Sequence, residues 1–81
     1  MKEDIKDIIS KIEPNSYTRL TLEYILEHGS ITTIEAFEQH RNTRLSASIY
    51  ELRTRYMVPI ATDYEVTQSG KRYGIYSLQE D

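Results

Sequence analysis

The chain has 81 residues, 38% of them hydrophobic and 28% charged, enough for one compact core and too little for two domains flanking a buried active site. It has no cysteine, which excludes disulfides, thiolate nucleophiles and cysteine-based zinc sites. The formal net charge is -3, so affinity for phosphate has to come from a local concentration of positive side chains.

In chain order, Ile5, Ile8, Ile9 and Ile12 recur at helical spacing among Lys, Asp and Glu, and the spacing predicts an amphipathic helix over residues 2–12 of an N-terminal segment, 1–13. "EPNS" ends it, because the residue before Pro14 is disfavoured in the helical region, and Asn15 or Ser16 can cap a second helix. That helix is expected from Tyr17 to His28, with Leu22, Ile25 and Leu26 inward and Gly29 as the left-handed stop. Thr32 and Glu35 have capping-box spacing and open a short third helix, about 33–39, expected to bury Ile34 and Phe37. After the polar "HRNT", Leu45, Ile49, Leu52 and Tyr56 form one apolar stripe on a fourth helix over about 43–56. Pro59 forbids continuation. "IATDYEV" and "RYGIYSL" then read as two strands joined by the turn signal "TQSGK", a β-hairpin with its tip at Gln68–Lys71 and a wing over about 66–73.

Charge is divided in the same way. Residues 1–40 hold four basic and eight acidic side chains, whereas residues 41–76 hold six basic and three acidic. Within "RNTRLSASIYELRTRY", residues 41–56, four arginines face a single acid, Glu51. A distant acidic face does not cancel this local field through salt water with a screening length of about 8–10 Å.

Three helices with a short turn between the last two, and then a hairpin, is the order of a winged helix-turn-helix: mainly α with a small β-hairpin, here over residues 16–79, with an extra N-terminal helix. In such a pair the second helix enters the major groove and presents its N-terminal residues to base edges. With the stripe inward, Arg44, Ser46, Ala47, Ser48, Glu51 and Arg55 are expected on the outside, with Arg41, Asn42 and Thr43 at the helix entrance. The small side chains let the backbone approach, hydroxyls bond bases or phosphates, and Arg44 reaches guanine or phosphate. Lys71 and Arg72 at the wing tip suit the flanking backbone. The expected partner is double-stranded DNA.

"LEYILEHGSITTIEAFEQHRNTRLSASIYELR" and, beyond it, "GKRYGIYSL" also resemble the small helix-turn-helix proteins of bacteriophage and prophage genomes. Their pattern is an "hGSIT" entry, an "RLSA-I--LR" recognition helix and a "GKR-Y-L" wing. The resemblance spans roughly residues 20–78 and implies DNA binding by a small regulator or an excisionase-like accessory factor. Ser48 and Glu51 make this recognition helix less basic than is common in that group.

A lone module of this size has little contact area, so a homodimer or cooperative binding at repeated sites is expected. Ile5, Ile8, Ile9 and Ile12 are the candidate dimer contact, and intramolecular packing accounts for them equally well. The rival reading is a phage-encoded inhibitor of a host protein complex, an anti-defence protein whose acidic residues 1–40 imitate a phosphate backbone.

Arg53, on the border of the stripe, suits either DNA or a bracing contact. His28 and His40 each end an expected helix, where a partly cationic ring complements the dipole, and no third ligand suggests a metal. Tyr64, Tyr73 and Tyr76 fit cross-strand packing better than a stacking platform. There is no glycine-rich phosphate loop and no nucleophile–base arrangement, so no catalytic residue, cofactor or small-molecule substrate is assigned. No apolar run approaches ~18 residues and the N-terminus has no apolar h-region, which predicts no membrane association and a cytoplasmic protein; the resemblance to phage proteins implies that the cell is a bacterial host.

Overall fold

A computed structural model describes residues 5–79. Residues 2–4 of the first expected helix and the acidic pair Glu80 and Asp81 lie outside them. The elements are α1 (Ile5–Lys11), α2 (Tyr17–His28), β1 (Ser30–Thr32), α3 (Thr33–His40), α4 (Leu45–Thr54), β2 (Ile60–Val66) and β3 (Arg72–Leu78).

Local chemistry sets most of these boundaries. Ser16 caps α2 by accepting from the Arg19 amide at 3.1 Å. Gly29, at φ 93°, ends the same helix by donating to the Ile25 carbonyl at 2.7 Å, a conformation that glycine adopts without a Cβ penalty. Thr32 and Glu35 form the reciprocal capping box of α3, with both bonds at 3.0 Å. The second oxygen of Glu35 accepts from the Tyr24 hydroxyl at 3.1 Å, which ties α2 to α3. α4 is shorter than its stripe predicts, because Met57 at φ 56° turns the chain away and Pro59 comes next but one.

The hairpin strands match the expected ones residue for residue, with Ile60 opposite Leu78 and Val66 opposite Arg72. Its turn is closed by the Thr67 amide donating to the Lys71 carbonyl at 2.7 Å and by Gly70 at φ 85°. The sheet has a third strand that the sequence pattern does not reveal. β1 pairs antiparallel with β3, giving the order β1-β3-β2 and placing Ile31 opposite Tyr76.

The core lies between the helices and the sheet. Leu22, Ile25, Ile31, Leu45, Ile49, Leu52, Val58 and Ile60 are all buried in it. Ile8 and Ile12 join them, and Ile5 and Ile9 pack partly against them. Of the two readings of α1, intramolecular packing therefore accounts for Ile8 and Ile12, and in part for Ile5 and Ile9. A correction concerns α3. Ile34 and Phe37 are 49% and 42% exposed, and the buried residue is Ala36. With only two turns, α3 can offer one narrow face to the core, and a small residue there lets it sit close. Leu26, expected inward on α2, is also exposed.

Ile12→Ala is expected to lower the unfolding free energy by about 2–5 kcal/mol in chemical denaturation. A loss below about 1 kcal/mol would show that α1 is not part of the cooperative core.

Candidate nucleic-acid interface

The turn between α3 and α4 is built around one amide side chain. Arg41 adopts φ 56° and donates to the Phe37 carbonyl at 2.8 Å, which carries the chain out of α3. Asn42 then turns inward and is 2% exposed. Its side-chain oxygen accepts from the Arg44 amide at 2.9 Å, and its side-chain nitrogen donates to the Ser48 hydroxyl at 3.3 Å. Asparagine suits such a turn because its side chain mimics a backbone acceptor two residues on. The sequence pattern points Asn42 and Ser48 toward DNA. The structure instead buries both, Ser48 at 5% exposure, where they satisfy each other and fix the entry of α4.

The other expected residues do share a face. Leu45, Ser48, Ile49 and Leu52 point inward, so Ser46, Ala47, Tyr50, Thr54 and Arg55 project outward, with Glu51 half-buried at the margin. Together with Thr43 and Arg44 they line a shallow, open concavity along α4. A second concavity continues from it to the start of α2, where Ser16 and Tyr17 meet Arg41 and Thr43. Arg44 is the N-cap residue of α4 and its side chain does not cap the helix. The beginning of α4 thus combines a positive helix end with two neighbouring arginines, Arg41 and Arg44, an arrangement that favours anions.

Stacking holds several of the cations in place. The guanidinium of Arg41 lies 5.6 Å from the Phe37 ring centre and that of Arg55 lies 5.6 Å from Tyr56. In the wing, Arg72 lies 4.2 Å over Tyr64, while Lys71 is exposed beside Gly70 at the turn. Arg53 has a different task. It donates twice to the Ile60 carbonyl, at 3.1 and 2.8 Å, and once to the Thr62 hydroxyl, so it braces α4 against β2. Arg44, by contrast, forms no ion pair with any described residue.

Two phenols are perturbed. Burial, and after it the hydrogen bond to Glu35, raises the Tyr24 pKa above its ordinary 10.0. The hydrogen bond to Glu65 does the same for Tyr73. His28 and His40 flank the Tyr24 ring, at centroid distances of 4.3 and 5.8 Å. Among the described residues no three His, Asp or Glu side chains are grouped to hold a metal, and no helix is long and apolar enough to cross a membrane.

Three helices ending in an exposed α4, with a β1-β3-β2 sheet whose outer hairpin projects as a wing, give the topology. A family model described as a winged helix-turn-helix domain matches residues 16–81. The chain belongs to the winged helix-turn-helix family. Neither the curated proteins nor the solved structures contain a significant match. Membership of this family suggests DNA binding in general, with α4 in the position of the recognition helix and β2–β3 in that of the wing.

Within this winged helix the sequence pattern overlooks Tyr50, an aromatic side chain 69% exposed on α4, and Thr54, which donates to the Tyr50 carbonyl at 2.8 Å. A signal for them exists: Ser46, Tyr50 and Thr54 stand at i, i+4 and i+8, a row that the apolar stripe leaves on the outside.

Asn42→Ala is expected to cost about 1–3 kcal/mol, since it strands the Arg44 amide and the Ser48 hydroxyl. Denaturation curves that coincide with the unsubstituted protein would contradict this. Alkaline pH gives a second prediction. Because Tyr24 and Tyr73 hold their protons more tightly when folded, their contribution is complete below pH 10.0 and falls as pH rises beyond it. Tyr24→Phe should flatten that fall in unfolding free energy measured above pH 10.0.

Proposed function

We propose that the chain is a sequence-specific double-stranded DNA-binding protein, a small phage or prophage regulator or excisionase-like accessory factor acting in the cytoplasm of a bacterial host. The carrying observation is the outward face of α4, where small and hydroxylated side chains sit between Arg44 and Arg55 and Arg44 has no acidic partner among the described residues. In this reading Ser46 and Ala47 let the helix approach the major groove. Arg44 meets guanine or a phosphate, Thr43 and Arg41 hold the strand at the helix entrance, and Arg55 meets the far side. Lys71 and Arg72 hold the backbone beside the groove. One such module covers a small footprint, so adjacent sites occupied together supply useful affinity.

A second reading keeps the fold and changes the partner: a protein inhibitor that docks on a host complex. The observation in its favour is α3, where exposed Ile34 and Phe37 stand beside the exposed acid Glu38, a surface that DNA would not seek.

Fluorescence anisotropy with random duplex DNA between about 50 and 200 mM salt separates the two, because counterion release makes phosphate contact a steep loss of affinity. Arg44→Ala is expected to weaken binding and relax sequence preference, whereas Lys71→Ala should weaken it evenly and reduce the salt slope by about 1. Unchanged binding in both variants would sink the assignment. No binding at low salt favours the protein partner.

A further inference from the structure

We propose that Glu51 is a base-reading residue of α4 and that it selects a C·G pair with the cytosine on the contacted strand. This rests on the DNA-binding reading and adds a sequence preference to it.

Glu51 lines both concavities, the one along α4 and the one that runs to the start of α2. Ala47, Glu51 and Arg55 stand one turn apart in a single row. Glutamate four residues before arginine is the favourable order for an ion pair on a helix. That pair is not formed. The Arg55 guanidinium lies over the Tyr56 ring instead, 5.6 Å from its centre. The Glu51 carboxylate therefore has no hydrogen bond or ion pair with any described residue, although it is half-buried and its neighbours include Arg44 and Arg55.

An unpaired carboxylate on a face that meets DNA has a narrow choice of contacts. It repels phosphate, so it contributes nothing to non-specific affinity. In the major groove the donors on base edges are the amino groups of cytosine and adenine, and the remaining polar groups are acceptors that repel it. On adenine the amino group stands beside the N7 acceptor, whereas cytosine offers its N4 amino group with no acceptor on the same base edge. Ala47, one turn earlier, is small enough to let the carboxylate come down to a base edge. Glu51 therefore works largely by exclusion: it tolerates cytosine and penalises the other bases at one position.

Site selection from randomised duplexes tests this with the unsubstituted protein, Glu51→Ala and Glu51→Gln, circular dichroism confirming that each variant is folded. The unsubstituted protein should return one fixed cytosine. Glu51→Ala should lose the preference at that position alone, with discrimination falling on the order of tenfold. Glu51→Gln should move it to adenine, whose N6 and N7 match an amide. Affinity for random duplex should rise in both variants, since each removes a negative charge. The same selected sequence from all three proteins would overturn the assignment while leaving DNA binding intact. Failure of the unsubstituted protein to bind any duplex would remove both.

Discussion

The buried amide of Asn42 governs the geometry that everything outward depends on. A turn of a few residues between two helices leaves backbone donors that neither helix can satisfy, and a protein interior leaves few of them unpaired. Asn42 answers the Arg44 amide with its oxygen and Ser48 with its nitrogen, so the end of α3, the start of α4 and the first inward turn of α4 are held by one side chain. Arg41 in the left-handed region delivers Asn42 to that position. The outward row of α4 is thus aimed by an inward residue.

Arg53 extends the constraint to the sheet. Its planar guanidinium donates to the Ile60 carbonyl at the start of β2 and to Thr62, a forked geometry that lysine cannot reproduce. These bonds reference the wing directly to α4. All four arginines of residues 41–56 are exposed, and Arg53 differs in being tied by hydrogen bonds to β2.

Much of this is legible in the sequence. The bounds of α2, the Thr32–Glu35 capping box, both hairpin strands and the turn between them can be read from caps, glycines and the change from helical to alternating period. β1 cannot, because three residues carry no period and the strand exists only through its pairing with β3. Ile34 and Phe37 mislead because helical spacing says that a face is apolar without saying that anything covers it. Asn42 and Ser48 mislead for the opposite reason. A polar residue near an expected DNA-facing helix reads as a contact, and only the fold shows that its partner is another side chain. α1 shows an ambiguity that periodicity leaves open, since four isoleucines on one face look alike whether they meet another copy or the chain's own core, where Ile8 and Ile12 lie.

The pairing of β1 with β3 also bears on how the chain comes into being. Ser30 and Ser77 are paired across β1 and β3 although they stand far apart in the sequence, so α3, α4 and β2 lie between two strands that meet only when the later one is available. Contacts between such distant positions are slow to form because the intervening loop must first be closed. During synthesis α2, α3 and α4 can coil locally, but Ile31 reaches its place beside Tyr76 only after β3 has left the ribosome.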